Sequence, residues 1–303
     1  MNTSVLEVSN ITKQIKKNKI INNISFDIKQ GEIVGFLGPN GSGKTTTLRM
    51  IVGLSKPTSG EIKICGYSIE KEYVKAMSNV GCIIEGPDLY DYMSGYKNLE
   101  MLGSMSKGVT KKDIDEAVEL VGMGSRIHDK VTIYSMGMKQ RIGLAQALIH
   151  KPKLLILDEP TNGLDPQGIH EFREIVKNLA KEKGISVLIS SHLISEVQLM
   201  CDRVSIINNG NIIRNASIDE VLATGEVAWT VDNPIKAQSI LKNKFAIDSS
   251  INGKELLASV SVKMMAKINK TLFLSGLEIK YVENKKRTLE DLFLTLTDKH
   301  KIG

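Results

Sequence analysis

The sequence contains the glycine-rich segment Gly38-Pro39-Asn40-Gly41-Ser42-Gly43-Lys44-Thr45-Thr46. It fits the pattern G-x-x-x-x-G-K-[ST], follows the apolar run Ile33–Leu37 and precedes a stretch with helical periodicity. In such a strand–loop–helix arrangement the glycines let backbone N–H groups surround phosphate oxygens, and the helix N-terminus attracts their negative charge. We therefore predict that the whole segment binds a nucleotide, that Lys44 reaches its β- and γ-phosphates, and that the Thr45 hydroxyl ligates Mg²⁺.

A second apolar run ends in two carboxylates. Leu154–Leu157 predicts a buried strand, and Asp158 and Glu159 follow it directly. Carboxylates at the carboxyl end of a parallel strand lie at the sheet edge where ligands bind. We predict that Asp158 is a further Mg²⁺ ligand and that Glu159 is the general base that polarises the attacking water, with Lys44 as a second catalytic residue.

The sequence favours ATP over GTP as the nucleotide. A guanine-reading N-K-x-D motif is absent, because the pairs Asn18-Lys19, Asn243-Lys244 and Asn269-Lys270 all lack the aspartate. We expect ATP and Mg²⁺ to be bound together.

Strand-like runs and helical patterns alternate along most of the chain, which predicts an α/β fold with a mainly parallel central sheet. Buried strands are predicted at Ile33–Leu37, Leu154–Leu157 and Val187–Ser190. Helical periodicity dominates residues from about 88 to 150 and predicts a helical subdomain. We predict that a nucleotide-binding ATPase domain occupies residues 1–225.

The character of the sequence changes after Gly225. Residues 226–303 read as strand, helix, strand, strand, helix, strand and a last helix, with the second strand predicted at Phe245–Asp248. That order is typical of a small ferredoxin-like α+β domain.

Composition limits the classes of partner. The net charge of +6 suits nucleotide phosphates, an anionic membrane or nucleic acid alike, whereas an aromatic content of 5% argues against a binder of single-stranded nucleic acid. The three cysteines are widely spaced and support neither a disulfide framework nor a zinc site. Since no apolar run approaches the roughly 20 residues that span a bilayer, we expect any membrane role to depend on a partner.

One further segment carries a family resemblance. The octapeptide Tyr134-Ser135-Met136-Gly137-Met138-Lys139-Gln140-Arg141 resembles the signature segment of ABC ATPases, usually written L-S-G-G-Q. Ser135 and Gly137 are kept, and the leucine, first glycine and glutamine are replaced by Tyr134, Met136 and Met138. The resemblance implies the P-loop NTPase fold of an ABC ATPase, in which Ser135 and Gly137 contact the γ-phosphate of ATP held by a second cassette. Helix N-termini bind anions, which agrees with that role.

Other family segments resemble parts of this chain in the same order. Asn162–Asp165 resembles the D-loop, which implies that Asp165 acts at the nucleotide across the dimer, and His192 resembles the catalytic switch histidine. Glu85 occupies the place of the Q-loop glutamine, which implies a third Mg²⁺ ligand and a contact with the membrane subunit. The family's adenine-stacking aromatic is missing near Ile15, so we expect an aliphatic contact with the base.

The chain resembles one subgroup of this family, the ATPases of bacitracin-resistance and lantibiotic-immunity exporters. The features that carry this resemblance are Glu85, the Tyr-Ser-Met-Gly-Met signature and the tail Arg287-Thr-Leu-Glu-Asp-Leu-Phe293. The resemblance implies an ATPase that powers efflux of a membrane-active peptide. It also implies two kinds of partner, namely polytopic membrane subunits and a second cassette that is another copy of this chain. The resemblance places this homodimer at the cytoplasmic face of the cell membrane and implies no binding of nucleic acid.

Two alternatives remain at this point. A soluble ABC ATPase of translation or DNA repair would carry two cassettes or long coiled-coil insertions, and the sequence has one cassette and no sustained heptads. An ABC subunit for another substrate, such as an importer, differs mainly in membrane subunits that this chain does not contain.

Overall fold

The structure is a computed structural model, and it describes residues 4–223, 226–260, 262–285 and 288–298. The chain divides between Ser217 and Ile218 into two compact units. The boundary predicted at residue 225 itself lies outside the described residues. The observed division comes earlier because the short helix Ile218–Ala223 packs with the last helix of the chain, Leu289–Asp298, and so belongs to the second unit.

The first unit contains two sheets and a set of helices. Its strands are β1 (Ser4–Ile15), β2 (Asn18–Lys29), β3 (Ile33–Leu37), β4 (Ser59–Ile64), β5 (Tyr67–Ser68), β6 (Val80–Ile83), β7 (Leu154–Asp158), β8 (Ser186–Ser191), β9 (Arg203–Asn208) and β10 (Asn211–Ser217). Its helices are α1 (Lys44–Ile51), α2 (Tyr73–Met77), α3 (Gly95–Ser104), α4 (Lys111–Leu120), α5 (Met136–Leu148), α6 (Pro166–Lys183) and α7 (Ile194–Met200), and a 3-10 turn spans Val131–Ile133.

The central sheet has the order β10-β9-β3-β8-β7-β6. Five of these strands run parallel, and β10 returns antiparallel to β9 in a hairpin. Strands β3, β7 and β8 are buried along their whole length, as expected for parallel strands covered on both faces. The predicted α/β fold with a mainly parallel sheet is therefore confirmed.

A second, antiparallel sheet has the order β2-β1-β4-β5 and packs against the central sheet. Strands β1 and β2 form an antiparallel hairpin. The rings of Phe26 on β2 and Phe36 on β3 stack with their centroids 5.4 Å apart. This packing brings the β1–β2 hairpin close to the loop that follows β3.

The helices α3, α4 and α5 fill most of the stretch in which helical periodicity was predicted, residues 88–150. The hydroxyl of Thr110 accepts from the backbone N–H of Asp113, whose carboxylate accepts from the N–H of Thr110, so a complete capping box starts α4. The amide of the buried Asn98 on α3 bonds to the backbone of Tyr90, in the segment that enters the helices. The buried amide thus anchors the segment that enters this helical region, and the capping box fixes the start of α4.

The second unit contains α8 (Ile218–Ala223), β11 (Glu226–Val231), α9 (Pro234–Phe245), β12 (Ser250–Asn252), β13 (Glu255–Ala258), α10 (Val262–Leu274), β14 (Ile279–Lys285) and α11 (Leu289–Asp298). Its sheet has the order β12-β13-β11-β14 with every neighbouring pair antiparallel. This is the ferredoxin-like arrangement that the sequence predicts. Its core surrounds the fully buried Trp229, whose indole N–H donates to the side-chain oxygen of Asn269 at 2.5 Å.

One element of this unit differs from expectation. Helix α9 continues to Phe245, and the second strand is Ser250–Asn252 rather than the predicted Phe245–Asp248. Phe245 packs on the hydrophobic core from the end of the helix, and Ala246 then ends the helix in the left-handed conformation (φ +54°). Within the described ranges, no helix combines the length and the hydropathy that a bilayer crossing requires.

Candidate nucleotide-binding site

The glycine-rich loop connects β3 to α1 and owes its shape to two glycines. A Cβ atom on Gly38 would lie 2.4 Å from the carbonyl oxygen of Ile207, and one on Gly43 would lie 2.3 Å from Cδ1 of Ile21. Gly43 also has a φ of +108°, a conformation that residues with a Cβ rarely adopt. The loop can therefore pass between β2 and β9 only with glycine at these positions.

Lys44 begins α1 and folds back over the loop. Its Nζ atom donates to the carbonyl oxygen of Gly38 at 2.7 Å and lies 3.4 Å from that of Pro39. The same atom lies 3.6 Å from a carboxylate oxygen of Glu159. The side chain is only 7% exposed. A buried ammonium group needs anionic or carbonyl partners, and phosphate oxygens entering the loop would supply stronger ones.

Thr45 and Asp158 meet at the end of the central sheet. The Thr45 hydroxyl donates to Asp158 Oδ2 at 2.9 Å, and the Ser190 hydroxyl donates to Asp158 Oδ1. Magnesium prefers hydroxyl and carboxylate oxygens and usually retains water and phosphate ligands. No group of three or more His, Cys, Asp or Glu side chains suited to a metal occurs among the described residues. The hydroxyl oxygen of Thr45 and the carboxylate of Asp158 are of the type that fits a magnesium ion shared with nucleotide phosphates.

Glu159 follows β7 in a left-handed conformation, with a φ of +48°. Its backbone N–H donates to the Ser190 hydroxyl at 3.0 Å, which holds this unusual turn in place. Its Oε2 atom accepts from the backbone N–H of His192 at 3.2 Å and lies 2.7 Å from the His192 ring nitrogen Nδ1. The structure thus brings together the three residues predicted to be catalytic, Lys44, Glu159 and His192.

These residues border an open cleft of about 480 Å³. It is lined by Ile20, Asn40, Gly41, Gly43, Lys44, Thr45, Thr46, Glu159, Asn162 and His192. Gly38, Pro39 and Ser42, which were predicted to bind the nucleotide, are not among the lining residues; the backbone carbonyls of Gly38 and Pro39 instead face Lys44, and Ser42 is buried.

Two residues of the site, Ser190 and Ile20, were not predicted from the sequence, and Asn162 was identified only as the first residue of the D-loop segment. Ile15, near which the family's aromatic was sought, is 51% exposed at the end of the β1–β2 hairpin, whereas Ile20 on β2 lines the cleft. The expected aliphatic contact with the base is therefore available from Ile20. The alternating pattern of β2 gives no signal for Ile20, because its neighbour Ile21 is the buried residue and successive side chains of a strand face opposite sides.

The signature segment and the D-loop lie next to each other, and Asn162 is the residue of these two segments that lines the cleft. Ser135 caps α5 by accepting from the backbone N–H of Met138 at 3.3 Å, and Asp165 caps α6 by accepting from that of Gly168 at 2.9 Å. A Cβ on Gly137 would meet its nearest neighbour, the side chain of Leu164, only at 3.9 Å. The predicted nucleotide contacts Ser135, Gly137 and Asp165 are thus not brought to the chain's own glycine-rich loop.

Glu85 is also separate from the Thr45–Asp158 pair. Its carboxylate forms an ion pair with the guanidinium group of Arg49 on α1, and its side chain is 63% exposed. Its backbone has a φ of +67°. The structure therefore pairs this predicted Mg²⁺ ligand with Arg49 and not with Thr45 or Asp158.

The cysteines contribute nothing to this site. Cys65, Cys82 and Cys201 are all free thiols. Burial raises the pKa of the Cys201 thiol, which lies near Gly35 beneath β3.

Comparisons with known proteins agree with this site. The ABC transporter family matches residues 21–162, which include the glycine-rich loop, the signature and Asp158. The uncharacterized ABC transporter ATP-binding protein YhcH of Bacillus subtilis is 49% identical over 301 residues, covering 98% of this chain and 97% of YhcH.

Two relatives carry names that refer to peptide antibiotics. The bacitracin transport ATP-binding protein BcrA of Bacillus licheniformis is 36% identical over 306 residues, covering 99% of this chain and 100% of BcrA. The lantibiotic transport ATP-binding protein SrtF of Streptococcus pyogenes is 40% identical over 215 residues, covering 71% of this chain and 92% of SrtF. The predicted resemblance to this subgroup is confirmed.

A solved structure shares the fold of the first unit. The ATP-binding cassette MJ0796, a dimer in a post-hydrolysis state bound to ADP and Pi, has a TM-score of 0.63 and 26% identity, covering 70% of this chain and 98% of that one. Together with the site geometry and the full-length relatives, this shows that the chain belongs to the family of ABC transporter ATP-binding proteins and is an ATP-binding and ATP-hydrolysing subunit.

Proposed function

We propose that this chain powers the export of a membrane-active peptide antibiotic or bacteriocin and so confers resistance or immunity. The observation that carries the proposal is the match to BcrA, a bacitracin transport protein, over 99% of this chain and 100% of BcrA. A match of that extent includes the second unit as well as the cassette. In this proposal the chain works at the cytoplasmic face of the membrane, as a homodimer beneath polytopic membrane subunits, and does not bind nucleic acid.

The mechanism starts from groups that already face one another. With ATP in the cleft, Lys44 exchanges its carbonyl partners in the loop for β- and γ-phosphate oxygens. Thr45 and Asp158 would hold a Mg²⁺ ion, which neutralises charge on those phosphates when bound. Because Ser190 fixes Asp158 from the other side, the carboxylate needs little rearrangement to do so.

Glu159 then acts on the attacking water. Its carboxylate accepts a proton as the water oxygen bonds to the γ-phosphorus and the bond to the leaving ADP oxygen breaks. The backbone N–H and the ring of His192 hold one carboxylate oxygen at 3.2 and 2.7 Å, which leaves the other oxygen for Lys44 and the water. His192 is 48% exposed and can also reach a γ-phosphate oxygen from the open side of the cleft.

In the proposed dimer, the residues that lie outside the chain's own cleft contact the nucleotide of the second copy. The first turn of α5 leaves backbone N–H groups without partners inside the helix, and Ser135 satisfies that of Met138. This helix start is open at Gly137, where no atom approaches closely, and can receive the γ-phosphate bound to a second copy. Hydrolysis then requires two chains, so the rate per chain rises with protein concentration.

The experiment is a purification of tagged protein from detergent-solubilised membranes of its native cells, followed by ATPase assays with bacitracin, a lantibiotic or an unrelated soluble peptide. We expect small polytopic membrane proteins to co-purify and the ATPase rate to respond to an antibiotic peptide and not to the control peptide. Co-purification of ribosomes or DNA-repair factors would overturn the transport role. Membrane partners without any response to the antibiotics would overturn the proposed cargo.

A further inference from the structure

His192 lies between the end of β8 and the start of α7. Its backbone N–H and its ring nitrogen Nδ1 contact the carboxylate of Glu159 at 3.2 and 2.7 Å. The His192 side chain is 48% exposed, so packing around the ring does little to hold it. The position of His192 therefore depends on how firmly β8 and α7 are fixed.

Helix α7 has little of its own to fix its start. Its N-cap residue, Leu193, provides no side-chain hydrogen bond to the first turn. The helix has only seven residues, and a helix of that length is not stable alone in water. Contacts with other elements must therefore hold α7 in place.

Two successive residues attach α7 to the elements around it. Val197 is fully buried against β3, where a Cβ on Gly35 would lie 2.4 Å from its Cγ1 atom. Glu196 accepts from the guanidinium group of Arg173 on α6, with 3.4 Å between Oε2 and Nη1. The side chains of Arg173 and Glu196 are only 15% and 18% exposed. Because a charge buried without a partner is destabilising, the Glu196 carboxylate depends on Arg173.

Helix α6 gives Arg173 a firm base. Phe172 and Val176 on this helix are buried in the core. Two residues before Arg173, Glu171 forms an ion pair with Arg141 of α5. Residues two apart on a helix are separated by about 200°, so Glu171 and Arg173 point to different sides of α6. One ion pair thus ties α6 to the signature helix, and a second ties α7 to α6.

We propose that Arg173 is a positioning residue for His192. By holding Glu196 it keeps the first turn of α7 in place, and with it the histidine at the carboxylate of Glu159. Glu196 follows His192 by four residues, so a shift of this turn is passed directly to the histidine. Arg173 is not among the residues that line the nucleotide cleft, so it acts through His192. The inference rests on the catalytic role of His192 in the proposed function.

The Arg173–Glu196 pair should affect turnover and leave nucleotide binding unchanged. Lys44 and Thr45 make their contacts with the glycine-rich loop and Asp158, and none of these groups lies on α7. A misplacement of about 1 Å far from the reacting atoms can lower a rate by about 10². Because Val197 still holds α7 when the pair is broken, we expect a smaller loss of turnover, about five- to twentyfold.

The test is single-turnover hydrolysis at saturating ATP, with equilibrium binding of ATP and urea denaturation measured on the same variants. We expect Arg173→Gln and Glu196→Gln each to lower turnover about five- to twentyfold without changing the affinity for ATP. The double variant Arg173→Glu with Glu196→Arg restores opposite charges and should recover most of the lost turnover. Arg203→Gln is the matched control, because it breaks another largely buried ion pair, with Glu32, at the start of β9. This control should lose stability and keep the parent rate.

A His192→Ala background separates positioning from a general structural role. There, Arg173→Gln should cause no further loss of turnover, because no imidazole remains to be positioned. An equal loss in both backgrounds would overturn the inference, and so would an equal loss in Arg203→Gln or an ATP affinity that falls with turnover.

The same variants test the underlying role of the histidine. If His192→Ala hydrolyses ATP as fast as the parent chain, the catalytic role of His192 in the proposed function is wrong. If His192→Ala is slow while Arg173→Gln keeps the parent rate, only the role of Arg173 is wrong.

Discussion

Replacing Glu159 with glutamine tests the general-base role most directly. The change keeps the size of the side chain and one oxygen that can accept from the backbone N–H of His192. It removes the negative charge that lies 3.6 Å from the Lys44 ammonium. Because glutamine and glutamate tolerate the left-handed backbone equally, the turn at φ +48° should persist and the variant should fold normally.

The expected loss can be stated from the chemistry of the site. A positioned general base typically contributes a factor of about 10² to 10⁴ in rate, or about 2.7 to 5.5 kcal/mol of transition-state stabilisation. ATP binding should not weaken, because Lys44 loses a competing anionic partner and the phosphates no longer face a carboxylate. With binding kept and turnover lost, the ATP-bound dimer should accumulate.

The assay combines single-turnover hydrolysis, equilibrium binding of ATP and size measurement by light scattering. Glu182→Gln, at an exposed position on α6, is the matched control and should behave like the parent chain. The reasoning would be refuted if Glu159→Gln hydrolysed ATP within tenfold of the parent rate. Loss of ATP binding in this variant would show instead that the carboxylate is needed to shape the site.

Three other perturbations test the parts that support this chemistry. Ser190→Ala removes the hydroxyl that donates to Asp158, so we expect the free energy of unfolding to fall by about 1 to 2 kcal/mol and the turnover rate to fall as well. Urea denaturation and ATPase kinetics that match those of the parent chain would contradict this. Gly38→Ala places a methyl group 2.4 Å from the Ile207 carbonyl oxygen, so ATP binding measured by calorimetry should be lost, and normal affinity would contradict the loop geometry. Burial raises the pKa of the Cys201 thiol, so the fraction of this residue present as thiolate at about pH 8 is low in the folded protein. Because the thiolate is the reactive form, mass spectrometry should detect labelling of Cys201 by a thiol reagent only after denaturation.

The sequence predicted the location of the candidate site residues that follow a buried strand. Parallel strands covered on both faces appear as short apolar runs, and their carboxyl ends converge on one edge. Lys44, Asp158 and His192 each follow such a run, and the structure places all three at that edge.

Local sequence patterns could not predict contacts between segments that lie far apart in the sequence. Ser190 bonds to Asp158 across 32 residues of sequence, and a serine inside a strand gives no sign of that role. Ile20 reaches the cleft only because the antiparallel sheet packs on the central one. For Glu85, family resemblance indicated a metal ligand, but the partner found in the structure, Arg49, lies on another element and depends on three-dimensional proximity.

In the second unit, too, local sequence patterns predicted some features of the backbone and missed others. Its ferredoxin-like arrangement and the helices α9, α10 and α11 were predicted from the sequence of elements, whereas α8 and the end of α9 were missed. Helices usually stop at a glycine in the left-handed conformation, but α9 stops at Ala246, which carries no such signal. The apolar Phe245 then resembled the start of a strand although it packs on the core as the last residue of the helix.

The register of β7 and β8 links the proposed metal site to the proposed general base. Asp158 pairs with Ser190 across the two parallel strands, and the Ser190 hydroxyl serves both Asp158 and the backbone N–H of Glu159. His192 follows Ser190 by two residues and holds the Glu159 carboxylate. A slip of one residue between these strands would turn Ser190 to the other face of the sheet and release both carboxylates at once. Geometry at the γ-phosphate is therefore set by the pairing of two buried strands, and a loss of β8 register should abolish metal binding and proton transfer together.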